Sequence, residues 1–433
     1  MSAPNPREVV TTKALSIWVA AMLVYIVAIT GRTSFGVAGL EAMARFDVDA
    51  SRIAVFTSVQ LGIYAFAQIP TGVLIDKYGP RKLLVIGAVI MGVGQVALGL
   101  TTNYWMAIAA RLLIGAGDAT AFLSVMRILP YWFPLHRTPM FTQVTSSLGQ
   151  LGQFVSAIPF AALLGWTGWT TAFVALGAAG ILIALAAAVA VADTPESLGI
   201  IETPAEQPNS QAHSLAASLA MVLRSPVAWQ GFFIHFCGLL GATVFVMLWG
   251  MPFMTEGLGI SKVQAGTVLT FYTICMITLG PIHGKISSRA QGFRDWMALF
   301  FTTLNIMSWT AFFLWGNSFL SLFILMVAIS LCSPCSNYGF DIVRENMERS
   351  VVATATGLAN MGGFISSMVA AQIFGMVLDS RGHAPHYELG DFHAAAVTSL
   401  IIWLAGMLGI VVTHFLRKRG GGYRPKVTVV SVS

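Results

Sequence analysis

"ARLLIGAGDATAF", residues 110–122, sets Arg111 and Asp118 inside an otherwise apolar run. Whether that run crosses a membrane decides the fold. In a soluble core the two would be a paired structural charge, whereas an ionisable group at mid-bilayer is costly and usually accompanies function. The apolar run extends over roughly 104–130, long enough for the ~20 residues that a spanning helix needs. Only 10% of the chain is charged and 56% is hydrophobic. Soluble domains carry about 25% charged residues, so a water-facing globule is excluded.

Eleven further runs share that character, and the twelve fall near 14–39, 52–75, 83–101, 104–130, 139–164, 170–192, 226–252, 263–286, 295–315, 318–341, 351–378 and 393–416. They are too long for strands and lack the alternation of a membrane barrel. The expected class is an all-α polytopic membrane protein. The opening residues are polar and the first run is too long for a signal h-region, so no cleaved signal peptide is expected. Most of the 24 Lys and Arg fall in segments that alternate onto one side of the membrane. Arg45, Arg52, Lys262 and Arg381 fall on the other, and Arg32, Arg111 and Arg127 lie within spans. That bias follows the positive-inside rule and predicts both termini in the cytoplasm, in a plasma or inner membrane. The net charge of +6 therefore reports topology rather than nucleic-acid binding.

A Pro/Glu/Gln/Ser-rich stretch divides the chain. The expected organisation is a first six-helix bundle over 1–192, a cytosolic linker over 193–225 with a short amphipathic helix at 214–224, a second bundle over 226–416, and a basic, unstructured tail over 417–433. Internal repetition supports the division. "SLGQLGQFVS" (147–156) matches "GLANMGGFIS" (357–366) at an offset of 210, with Gln150 meeting Asn360. "GVLIDKYGPRK" (72–82) matches "GPIHGKISSRA" (280–290) at an offset of 208. Paired halves of this kind point to a transporter. "CSPC" at 332–335 has redox spacing without a βαβ context, and reads as small residues flanking a proline kink.

"GVLIDKYGPRK" has the form G-x-x-x-D-x-x-G-x-R-K and follows the second span. In this it resembles the conformational latch of the major facilitator superfamily, which implies two pseudo-symmetric six-helix bundles. Gly72, Asp76, Gly79, Arg81 and Lys82 are the latch residues so implied. The second copy has Gly284 in place of the acid. A finer resemblance, to the anion:cation symporter branch, rests on "GRTSFGVAG" in the first span, "RLLIGAGDATAF…R…WFP…R" through the fourth and "GW" after the fifth. It implies an organic-anion substrate, proton symport, and a site at Arg32, Arg111 and Asp118. Two departures, Gly31 where an acid often precedes the arginine and Asp118 in place of glutamate, leave the proton count open.

The residues support a reading of their own. Seven residues turn a helix by about 700° with a rise of ~10.5 Å, so Arg111 and Asp118 share a face. Asp118 is then expected to lean toward Arg111, as the proton-coupling acid beside substrate-binding arginines. A purely structural pair, and a snorkelling Arg32, are the alternatives. Tyr64, Gln68, Gln150, Asn360 and Gln372 are expected on the cavity wall, where they would bond a hydroxylated substrate, with helix–helix glue as the other reading. Arg127 and Asp341 read as gate residues and His235 as scaffold. No P-loop, H-E-x-x-H pair or nucleophile elbow is present, and no enzyme activity, cofactor, metal or nucleic-acid partner is expected.

The expected function is secondary transport of a small organic anion of carboxylate or sugar-acid type, by alternating access and with proton symport, in a monomer. Proton-antiport efflux of drugs or metabolites is the alternative within transport. A transport-inactive sensor or scaffold is the alternative outside it.

Overall fold

A computed structural model describes residues 4–48, 50–200, 214–316, 318–381 and 387–419. Among these, all regular structure is helical. Eleven stretches are long and apolar enough to cross a membrane. One of them, Thr138–Ala190, spans 53 residues, too long for a single ~30 Å crossing. Gly168 breaks it with φ 77°, a backbone region open to glycine and costly for other residues. Twelve spans result, as the hydropathy predicts.

We label them α1 Thr12–Val37, α2 Ala50–Tyr78, α3 Pro80–Leu100, α4 Tyr104–Trp132, α5 Thr138–Val155, α6 Ala161–Ala190, α7 Pro226–Val244, α8 Lys262–Arg289, α9 Arg294–Ala311, α10 Phe319–Cys332, α11 Val352–Ser380 and α12 Leu389–Arg419. α5 continues through a π turn, Ser156–Phe160, up to the break at Gly168. α10 continues through a 3-10 turn at Ser333–Asn337 into a helix at Tyr338–Asn346. "CSPC" spans the junction of α10 and that turn, and both of its cysteines are free and buried.

Local chemistry sets the ends. Thr11 caps α1 by accepting from Ala14 N, and Asn103 caps α4 through Trp105 N and Met106 N. Ser261 and Gln264 form a capping box on α8. Small residues let spans approach closely. Gly117 of α4 faces the Gly87 carbonyl of α3, and Gly177 of α6 faces that of Gly92. The apolar core falls into two main clusters. One is built mostly from α1–α6, the other from α7–α12.

The linker and tail differ in detail from expectation. A helix does form at Leu215–Arg224, capped by Ser214, with Val222 buried in the core. Residues 201–213 and 420–433 lie outside the described residues. α12 stays helical through Arg419, past the expected start of the tail. The physical reason is Arg417, which reaches back to donate to Asp295 Oδ2 at 3.3 Å. We call the end of the molecule that carries Lys13, Arg81, Arg137, Arg289 and Arg349 the basic end.

Candidate functional site

Two connected chambers of about 160 and 270 Å³ lie between the halves. One face of each lining helix supplies the wall. On α1 that face is Tyr25, Ile29, Arg32, Thr33 and Gly36, the three-to-four spacing of a helix stripe. α5, α7 and α11, which also run away from the basic end, contribute Gln143 to Gln153, His235 to Val246, and Asn360 to Met368.

Arg32 borders both chambers. It forks onto Asp118 of α4, with Nε to Oδ2 at 2.6 Å and Nη2 to Oδ1 at 3.0 Å. Such bidentate, charge-assisted pairs are among the strongest hydrogen bonds proteins make. The guanidinium also faces the Tyr64 ring, at 4.2 Å, a cation–π contact. Arg32 does not snorkel, since its charge points inward.

Asp118 therefore pairs with Arg32, whereas helix geometry alone had it leaning toward Arg111 without fixing a contact. The ~10.5 Å rise between Arg111 and Asp118 is too far for contact, and α1 brings the nearer cation. Arg111 is 1% exposed and its guanidinium lies 4.5 Å over the Phe35 ring. Its Nε and Nη1 have no hydrogen-bond partner. It does not line either chamber.

The polar set divides in the same way. Tyr64, Gln150 and Asn360 line the first chamber, whose wall both halves share. Asn360 Nδ2 donates to Tyr64 Oη at 3.2 Å and to Gln68 Oε1 at 2.8 Å, joining α11 to α2. Gln68 is fully buried behind Tyr64. Gln150 Oε1 accepts from Gln153 at 2.9 Å. Gln372 is a correction, because it is exposed on the outside of α11. Twelve residues beyond Asn360 on a helix is a rotation of about 120° off the lining face, a signal that could have been read beforehand. His235 lines the wall, with Nδ1 3.2 Å from Ser336 O.

Other wall residues carried no distinguishing signal. Gln60 borders the second chamber with both amide atoms unpartnered. Gln143 and Asn337 form the floor near the basic end. Gln143 Nε2 donates to Pro334 O at 2.8 Å, and Asn337 Nδ2 donates to Gln143 Oε1 at 2.9 Å. These tie α5 to the broken part of α10.

Below the floor the halves meet in two unlike crossings. Asp76, at the end of α2, accepts from Ala353 N at 3.0 Å, Thr354 N at 2.8 Å and Thr354 Oγ1 at 2.8 Å. It thus caps α11, and Arg127 Nε stands 3.3 Å from Oδ1. Gly72 allows the approach, because a Cβ there would lie 2.5 Å from Ala353 O. Gly79 turns into α3 with φ 87°. Arg81 stays within its own half, donating from backbone N to Asp193 and from its guanidinium to Ala188 O, with Lys82 exposed beside it. In the second crossing Gly284 packs on Met140 Cα and Gly280 on the Ser147 hydroxyl, with no ion pair between the two helices among the described residues. Asp341 holds Arg344 and the Ser287 hydroxyl, and Arg344 reaches across to Thr142 Oγ1 at 3.1 Å.

Comparison with known proteins agrees with this architecture. The family model described as Major Facilitator Superfamily matches residues 21–371 and 231–431. A probable sulfoacetate transporter of Cupriavidus necator is 24% identical over 376 residues, covering 83% of this chain and 86% of that one. A probable galactarate/D-glucarate transporter of Escherichia coli K12 is 21% identical over 412 residues, 84% of this chain and 87% of that one. Among solved structures, the proton:xylose symporter XylE superposes with a TM-score of 0.66 at 16% identity, over 94% of this chain and 96% of that chain. The E. coli fucose:proton symporter FucP gives 0.65 at 14% identity, over 93% and 99%.

Proposed function

The chain belongs to the Major Facilitator Superfamily and is a membrane transporter rather than an enzyme, and from that premise we propose that it carries a small organic anion together with protons. The observation that carries the proposal is the Arg32–Asp118 pair on the chamber wall. While Asp118 is ionised, Arg32 is already satisfied. A proton on Asp118 removes the internal counter-charge and frees the guanidinium for a substrate carboxylate. Proton and anion thus favour each other's binding, and Asp118 is the coupling acid. Tyr64, Asn360, Gln150 and Gln60 bond the rest of the solute. Arg111 stays behind Phe35 and adds positive potential from there without touching it.

The similarity to transporters named for sulfoacetate and for galactarate/D-glucarate supports an acid as cargo. The basic end faces the cytoplasm by the charge bias. The contacts between halves described above lie at that end, so this conformation faces outward. Inward opening requires breaking the Asp76 cap on α11 and the Gln143–Asn337 floor while the halves rock about the site. The membrane potential supplies ~2.3 kcal/mol per charge per 100 mV. Moving more protons than substrate charges therefore drives uphill import.

The test is uptake into proteoliposomes across a panel of sugar acids, dicarboxylates and sulfonates, with and without an inward proton gradient. Wild type should concentrate at least one anion only with the gradient. Asp118→Asn should retain counterflow exchange and lose accumulation. A mutant that still concentrates substrate would overturn the proton role. Export of cations or neutral compounds would overturn the anion role.

A further inference from the structure

On the far side of α7 from the transport chambers lies a third space of about 340 Å³, walled by α7, α9, α11 and α12. Its shape follows α12, where His393, Ala396, Leu400 and Trp403 border it in succession. The ten residues from His393 to Trp403 rise ~15 Å along the helix, which is half of the ~30 Å hydrocarbon core. α12 starts at the end opposite the basic end. The slot therefore begins just below that interface and stops near mid-bilayer.

Its walls are aromatic, with Phe245, Trp249, Phe374 and Trp403 deep inside. Its mouth is lateral. Leu314 is 63% and Val397 58% exposed at its edge, and exposure on a spanning helix outside the bundle means contact with lipid. Trp309 Nε1 and His393 Nε2 are buried with no hydrogen-bond partner, and the Phe313 ring lies between them, 5.7 Å from Trp309 and 4.6 Å from His393. The other two indoles on the wall are satisfied, Trp249 by Ala371 O and Trp403 by Cys237 O. A buried donor without a partner costs about 1–3 kcal/mol, so Trp309 and His393 call for an acceptor.

We propose that this slot binds one acyl chain of a phospholipid from the leaflet opposite the basic end, with the lipid's ester oxygens accepting separately from Trp309 and from His393. A lateral mouth, one-leaflet length and two unpartnered polar side chains match that ligand, whereas a water-borne solute has no route through lipid to the mouth. The site also touches transport. Val244 borders both the slot and the second chamber, and the π turn Phe245–Trp249 forms the wall between them. A chain seated there backs the part of α7 that must move when the halves rock.

The test is native mass spectrometry of the full-length protein, delipidated in detergent and titrated with a phosphatidylethanolamine or a soluble apolar dye. Wild type should retain one phospholipid that Ala396→Phe, which fills the slot, does not. Trp309→Phe, which keeps the shape and removes one donor, should weaken retention about fivefold, the equivalent of one hydrogen bond of ~1 kcal/mol. In liposomes, counterflow by wild type should fall when phospholipid is replaced by detergent-like single-chain lipid, while Ala396→Phe should be insensitive. Equal retention by wild type and both variants overturns the proposal, as does preference for the dye over phospholipid. Should Ala396→Phe fail to fold, Trp309→Phe alone decides between these outcomes.

Discussion

The two halves handle buried charge differently. The first carries Arg32, Arg111 and Asp118 in the middle of its spans. The second keeps Arg294, Asp295, Asp341 and Arg344 at the basic end and Asp391 at the opposite one, and its share of the central wall is neutral. At the 210-residue offset, Arg32 corresponds to Ala242 and Asp118 to Ala328. Two bundles of one architecture have thus divided the work. One holds the ionic chemistry, and the other offers hydrogen bonds and a movable wall.

The largest expected effect comes from splitting the central pair. Arg32→Met or Asp118→Leu alone leaves an uncompensated charge in a largely buried site, at a cost of about 3–5 kcal/mol. Both changes together should recover most of that stability, since no charge is left behind. Thermal unfolding of the purified variants checks this. If the double variant is as unstable as the worse single one, the pair is not an isolated electrostatic unit and the contrast between halves weakens.

Next come the crossings at the basic end. A Cβ on Gly72 or Gly284 meets backbone, at 2.5 Å from Ala353 O and 2.5 Å from Met140 Cα, whereas one on Gly280 meets the Ser147 hydroxyl. A hydroxyl can rotate and backbone cannot. Gly72→Ala and Gly284→Ala should therefore each displace the state closed at the basic end by about 1–3 kcal/mol, the usual cost of overpacking, and Gly280→Ala by much less. Distance measurements between spin labels across the basic end read the shift. Asp76→Ala removes the cap on α11 and should favour opening at the basic end by about 0.5–2 kcal/mol. No second-half variant at Gly284 reproduces that electrostatic loss. An Asp76→Ala protein that stays closed would show the two crossings to be equivalent packing contacts.

How much of this was legible beforehand depends on whether a feature is local. Twelve spans could be read because each is a long apolar run, and even the break between α5 and α6 sits at a glycine. That Asp76 stands at a crossing point could be suspected because the motif that holds it is contiguous in the chain. The partner of Asp118 was not, because α1 and α4 meet only in three dimensions, and a same-helix argument favoured Arg111. Gln60 and Gln143 were passed over because an amide facing water and an amide gluing two helices have the same sequence neighbourhood.

The smallest effect separates residues that composition alone treats alike. Asn360 and Gln372 are both amides on α11, twelve positions apart. Asn360 bridges Tyr64 and Gln68 across the halves, so Asn360→Ala removes two hydrogen bonds and leaves a buried Gln68 oxygen unpartnered. The expected loss is about 1–3 kcal/mol, with a weaker apparent affinity for any anion that is transported. Gln372 faces outward, and Gln372→Ala should lie within about 0.5 kcal/mol of wild type with unchanged uptake. Parallel stability and uptake measurements on the two variants test whether the wall of the second half is defined by helix phase. An equal loss for Gln372→Ala would mean that α11 rotates to present both amides during transport, so the neutral wall would be a property of one state rather than of the half.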